Sequence, residues 1–192
     1  MADLILYTGP MFSSKTTKLL MQADKRFYQK QKVIAFKSRM DDRYSQVGEI
    51  VTHNFNKIPA HLVDTGEEII QKIAEQTAVD CVLIDEAQFL SRDQVAELGK
   101  VVDQDGIPVL AYGLRTDFLG ETFEGSQYLL AWSDEIREIK AICDCGKKAT
   151  MNARVNEQGE IEREGEQIEI GGNERYVSLC RRCFFEGKTL RF

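Results

Sequence analysis

A chain of 192 residues suits one domain, or one domain with a small appendage, and at 43% hydrophobic and 29% charged residues it can bury a sizeable core and stay soluble. A formal net charge of -6 argues against a protein that coats nucleic acid through its overall field. No apolar run approaches the roughly 20 residues of a membrane span, and Asp3, with no basic region before the first apolar run, is not the start of a signal peptide, so a cytoplasmic protein is expected.

In chain order, Leu4, Ile5, Leu6 and Tyr7 read as a buried strand. The loop Gly9, Pro10, Met11, Phe12, Ser13, Ser14, Lys15, Thr16 follows, and then a helical pattern with Leu20, Ala23 and Phe27 on one face. Strand, tight loop and a helix beginning Lys-Thr is the setting of a phosphate-binding P-loop. Loop N–H groups and the helix dipole converge on one spot and favour an anion there. Lys15 would reach the outer phosphates and the Thr16 hydroxyl would sit on Mg²⁺. The pattern G-x-x-x-x-G-K-[ST] has Ser14 in place of its second glycine, the residue that reaches φ > 0 cheaply. The alternative is that Ser13 or Ser14 caps an ordinary helix.

Val33, Ile34, Ala35 and Phe36 form a second short strand, and residues 37–56 read as a mobile loop with little regular structure. Thr65 with Glu68 makes a capping box ahead of a helix striped by Ile69, Ile70 and Ile73. Cys81, Val82, Leu83 and Ile84 form a buried strand ending in Asp85 and Glu86. Ser91 with Gln94 makes another capping box, with Val95, Leu98 and Val102 as the buried helix face, and residues 107–111 give a further strand. Strands alternating with helices imply an α/β fold, a mainly parallel sheet flanked by helices, with ligands at the carboxyl ends of the strands. Residues 113–125 are a long loop. Beyond Trp132 the alternation changes character. Ala149, Met151, Ala153 and Val155 alternate as on a strand, residues 156–174 are rich in Glu and Gly and read as a flexible lid, and Tyr176 to Leu179 is a short strand. A boundary near Ile139 divides residues 1–139 from residues 140–192.

Four apolar residues followed by Asp85 resemble a Walker B strand, whose aspartate helps hold Mg²⁺. An aspartate that merely ends a strand is the bland reading, and the loop at 9–16 weighs against it. Glu86 is placed to accept a proton from a hydroxyl or a water attacking a γ-phosphate, and the sequence does not separate the two. Cys143 and Cys145, then Cys180 and Cys183, are two close pairs among five cysteines, suited to one structural tetrahedral Zn²⁺. A redox pair or free thiols is the alternative, and Cys81 reads as core. Of the aromatics, Phe118 and Tyr176 lie in polar segments and could stack on a flat ligand, although core is the default for each. His53 and His61 are too isolated for a catalytic role and read as surface or packing residues.

The motifs GPMFSSKT at 9–16, DDRYS at 41–45, DEAQF at 85–89, GLRTDF at 113–118 and GGNERY at 171–176, with the two cysteine pairs, run through nearly the whole chain. In that order they resemble the thymidine kinase family of the type II, zinc-containing kind. The resemblance implies a P-loop, RecA-like nucleotide-binding domain at 1–139 and a small zinc-binding domain with a lasso-like lid at 140–192. It implies transfer of the ATP γ-phosphate to the 5′-hydroxyl of thymidine or deoxyuridine, with Glu86 as base. Residues Gly9 through Thr16 and Asp85, Glu86, Ala87 and Gln88 then serve ATP and Mg²⁺. The nucleoside falls to Met11, Phe89, Leu114, Phe118, Phe123, Tyr176 and the lid residues Gln167, Ile168, Glu169, Ile170 and Gly171. Cys143, Cys145, Cys180 and Cys183 hold structural Zn²⁺, and the assembly implied is a homotetramer. Asp41 and Arg43 match a family motif, with Arg43 a candidate phosphate contact. Two departures stand out: Ser14 for glycine, and C-x-C at 143–145 for the family's C-x-x-C. The competing readings are a P-loop ATPase whose zinc module binds nucleic acid or a protein partner, and a nucleotide-binding relic disabled at Ser14.

Overall fold

The computed structural model describes residues 2–39, 48–52, 56–64, 69–168 and 173–189. In chain order the elements are β1 (Leu4–Thr8), α1 (Lys15–Tyr28), β2 (Val33–Ser38), β3 (Glu49–Val51), β4 (Lys57–Pro59), β5 (His61–Val63), α2 (Ile69–Ala74), β6 (Cys81–Asp85), α3 (Arg92–Asp105), β7 (Val109–Gly113), α4 (Glu124–Trp132) and β8 (Glu135–Glu138). Then come β9 (Ala141–Ile142), β10 (Lys148–Ala149), β11 (Met151–Arg154), β12 (Tyr176–Leu179) and α5 (Arg181–Glu186). Single 3-10 turns lie at Ala87–Phe89 and Asn173–Arg175.

Among the described residues the main sheet has six strands in the order β5-β2-β6-β7-β1-β8, and every pairing in it is parallel. Both faces are covered, which is why its central strands are continuous apolar runs rather than alternating ones. On one face Ile5, Tyr7, Leu83, Leu110 and Tyr112 meet Leu19, Leu20 and Ala23 of α1. On the other Leu6, Ile34, Phe36, Val82, Ile84 and Ala111 meet Ile69, Ile73, Val95, Leu98 and Leu129 of α2, α3 and α4. Each large side chain buried this way contributes about 1.5–3 kcal/mol. The Ser91–Gln94 capping box opens α3, with both of its reciprocal hydrogen bonds formed.

Several expectations are corrected. Phe27 is not on the buried stripe of α1; it is exposed, and Leu19 takes its place. The segment 37–56, expected to have little regular structure, holds the end of β2 and the strand β3, which pairs with β4 just beyond it; Ile50 and Ile58 of this hairpin pack against the α1 face of the sheet. The segment read as a lid makes contacts with the rest of the chain at Glu162 and Gln167. Arg154 pairs with Glu162 at 2.5 Å, Arg175 pairs with the same carboxylate, and Gln167 Nε2 donates to Asp117 Oδ2 at 2.9 Å. Burial works against the charge on Glu162, but the hydrogen bond from Arg154 and the charges of both arginines hold its pKa below the usual carboxylate value. The capping box at Thr65 and Glu68, the residues Asp41 and Arg43, and His53 lie outside the described residues. His61 is exposed, its ring 5.5 Å from that of Phe36.

The C-terminal part is built from two antiparallel pairs, β9–β10 and β11–β12, and α5. They close on their own small core of Cys143, Ala149, Ala153, Val155, Val177, Leu179, Cys180 and Phe184.

Candidate active site

The loop of residues 9–16 leaves the end of β1 and enters α1, so its amides and the helix N-terminus face the carboxyl edge of the sheet. Lys15 Nζ donates to the carbonyls of Pro10 at 2.9 Å and Gly9 at 3.3 Å, which folds the loop around its own lysine. A side chain at Gly9 would meet the Ile139 carbonyl at 2.6 Å, so glycine is required there by close approach. Ser14 sits at φ 64°, ψ 35°, and Phe12 at φ 60°, both in the left-handed region. The position that departs from the motif is therefore one where the backbone does ask for glycine.

Asp85 ends β6 two strands away and is buried. The Thr16 hydroxyl donates to its carboxylate, 3.3 Å from Oδ2 and 3.4 Å from Oδ1. A hydroxyl and a carboxylate at the mouth of the loop 9–16 are the kind of oxygen donors that suit Mg²⁺. Lys37, opposite Asp85 in the β2–β6 register, is buried beside them.

Glu86 leaves the strand at φ 50°, ψ 41°, a left-handed turn that starts the 3-10 turn Ala87–Phe89. Gln88 Nε2 donates to Glu86 Oε2 at 2.5 Å, while Gln88 Oε1 accepts from the Leu114 N–H at 2.9 Å. Ser126 Oγ donates to the Leu114 carbonyl at 2.5 Å. One buried glutamine thus ties the carboxylate to the loop after β7. Gly125, in the first turn of α4, lets that helix press on the 3-10 turn: a Cβ there would lie 2.5 Å from the Ala87 carbonyl and 2.7 Å from that of Leu90.

Of the residues expected to line a nucleoside pocket, Phe89 and Phe123 meet edge to face at 5.7 Å. Phe118 is buried, with the Arg154 guanidinium 3.7 Å from its ring centre. Gln167 reaches Asp117, whose other carboxylate oxygen accepts from the N–H groups of Leu119 and Glu121. Tyr176 and Ile168 are half-buried; Glu169, Ile170 and Gly171 lie outside the described residues. Met11 is held through its backbone: Asn152 Oδ1 accepts its N–H at 2.7 Å and Ser178 Oγ donates to its carbonyl at 2.6 Å. Neither Asn152 nor Ser178 stands out in the sequence, where each is one polar residue in an alternating strand.

The sulfurs of Cys143, Cys145, Cys180 and Cys183 all lie within 4.8 Å of one another. The shorter spacing of the first pair therefore still delivers both sulfurs, and four thiolates so grouped suit tetrahedral Zn²⁺. The Cys183 N–H pulls the Cys180 thiol down to about 7, and hydrogen bonds with Cys145 and Cys180 push Cys183 up to about 12. Cys81 is fully buried away from them, and burial raises its pKa to about 11.

A family model described as "Thymidine kinase" matches residues 2–184. The chain belongs to the thymidine kinase family. Thymidine kinase of Escherichia coli (strain K12) is 47% identical over 189 residues, covering 97% of this chain and 92% of the other. That of Vibrio parahaemolyticus is 46% identical with 97% and 98% coverage, and that of Yersinia pseudotuberculosis 44% with 97% and 96%. The match spans nearly the whole chain, so it takes in the loop 9–16, the Asp85–Glu86 corner and the cysteine quartet alike.

Proposed function

We propose that this member of the thymidine kinase family transfers the γ-phosphoryl group of ATP to the 5′-hydroxyl of thymidine or deoxyuridine. The observation that carries the reading is the Thr16–Asp85 pair at the mouth of the loop with Glu86 next in the chain. The loop amides and Lys15 bind the phosphates, and Thr16 with Asp85 would hold Mg²⁺, which supplies charge neutralisation between the β- and γ-phosphates. Glu86 takes the proton of the 5′-hydroxyl as that oxygen bonds to the γ-phosphorus and the bond to the β–γ bridging oxygen breaks, releasing ADP. Gln88 holds the Glu86 carboxylate in position, since its other end is fixed on Leu114.

In the same reading, residues 140–192 form a zinc-binding domain with a lasso-like lid, and Met11, Phe89, Leu114, Phe118, Phe123, Tyr176 and residues 167–171 enclose the nucleoside. A single methyl group is worth about 1–3 kcal/mol in an apolar pocket, so deoxyuridine is accepted more weakly than thymidine. The homotetramer implied by the family and the cytoplasmic location expected from the sequence stay part of the proposal. An assembly would cover apolar side chains left exposed on α1, Met21 and Tyr28, and Ile136 on the edge strand β8.

The test is phosphoryl transfer from labelled ATP to a panel of nucleosides, on protein sized by light scattering. Transfer to thymidine and deoxyuridine is expected from a particle of four chain masses. Glu86→Gln is expected to keep ATP binding and lose most of the transfer. Full turnover in that variant would refute the base assignment, and ATP hydrolysis stimulated by nucleic acid but not by nucleosides would refute the kinase reading.

A further inference from the structure

The phosphate loop holds two non-glycine residues in the left-handed region, Phe12 and Ser14. Each such residue costs on the order of 1–2 kcal/mol, and such backbone persists where the surroundings over-determine it. The surroundings here are specific. Met11 lies immediately before the strained pair, and both of its backbone polar groups are bonded by side chains from strands more than 140 residues further along the chain. Asn152 accepts the N–H, and Ser178 donates to the carbonyl.

These two residues are themselves fixed. They face each other as a register pair in β11–β12. Asn152 is buried, and its amide nitrogen donates to the Thr116 carbonyl at 2.8 Å, so its orientation is set from the loop after β7 as well. Ser178 lies two residues before Cys180, and its neighbours Val177 and Leu179 belong to the same small core as Cys143 and Cys180. A third contact reinforces them at the start of the loop, where Gly9 abuts the Ile139 carbonyl.

Resting on the kinase reading above, we propose that Asn152 and Ser178 are positioning residues that clamp the phosphate loop in its binding conformation. The cysteine-bearing C-terminal part then has a role beyond closing the molecule: it sets affinity for the triphosphate. Neither side chain needs to touch substrate. Without the clamp, the loop can relax at Phe12 and Ser14, and ATP binding must restore the strained shape.

The test is calorimetric titration of ATP·Mg²⁺, without nucleoside, into folded metal-loaded wild type, Ser178→Ala and Ser178→Thr. A lost hydrogen bond of ordinary strength corresponds to about a fivefold weaker affinity for Ser178→Ala. Metal content and melting temperature should stay near wild type, and threonine, which keeps the donor, should restore most of the loss. Repeating the alanine change in a Ser14→Gly background separates a clamp from a general structural effect. Glycine removes the strain, so the loss should shrink to about half or less. Affinity for Ser178→Ala within twofold of wild type, or the same loss in both backgrounds, would overturn the clamp and leave the kinase reading intact. Absence of ATP binding by the wild type would overturn both.

Discussion

Ser14 shows how one residue can be read from the sequence and still need the structure to be understood. The letter departs from the loop motif, and the backbone angle of φ 64° shows that the departure is conformational rather than chemical. Replacing Ser14 by glycine removes about 1–2 kcal/mol of left-handed strain, against about 0.4–1 kcal/mol of added freedom in the unfolded chain. Ser14→Gly is therefore expected to stabilise the protein by about 0–1.6 kcal/mol, read as a small rise in denaturant midpoint at constant slope. A lower midpoint would show that the serine is held there by interactions stronger than the strain. Glu86 is the reverse case. Its place after an apolar run and an aspartate was legible, but its left-handed turn, and the glutamine that fixes its carboxylate, were not, because neither leaves a periodic trace.

At the scale of elements, apolar runs and capping boxes marked β1, β2, β6, β7, α1 and α3 because each buries several large side chains against a neighbour. The strands that went unread are short or polar. β8 is Glu-Ile-Arg-Glu, exposed along its length, and joins the sheet beside β1 through its backbone and through Arg137, which donates to the Tyr7 hydroxyl at 2.6 Å; hydrophobic pattern reports neither. β3, β4 and β5 have three residues each, too few to show a period. Helix α4 carries a functional constraint of its own at Gly125, where three backbone carbonyls of the turn after Glu86 leave no room for a Cβ. Gly125→Ala forces α4 and that turn apart, and overpacking of this kind costs about 1–3 kcal/mol. Because the turn carries Gln88, the partner of Glu86, turnover should fall by more than thymidine or ATP affinity does. Loss of stability with an unchanged turnover number would show that the displacement is absorbed by α4 alone.

Across the whole molecule, the contacts that complete the site join segments far apart in sequence, and that is where sequence reading gives out. Asn152 and Ser178 on Met11, Gln167 on Asp117, and Arg154 over Phe118 each depend on the fold bringing β11, β12 and the segment around Gln167 to the carboxyl edge of the sheet. The cysteine quartet was legible because its chemistry leaves spacing in the chain, and the structure gathers all four sulfurs.

The quartet also divides the molecule energetically. The main sheet is covered by two large apolar layers, whereas among the described residues the C-terminal part has a core of eight buried residues, two of them cysteines of the quartet. A core that small is marginal without a cross-link or a metal. One zinc per chain is expected by elemental analysis. Cys183→Ser, or chelation, should release the C-terminal strands first, because metal binding to a structural site is itself folding free energy. The main sheet should survive that loss, since among the described residues its core clusters are separate from the one that holds Cys143 and Cys180. Limited proteolysis should then cut within residues 140–189 while a fragment holding β1 to β8 persists, and ATP affinity should drop with the cut. Simultaneous loss of both parts in one cooperative transition would show that the small core and the sheet fold as a single unit.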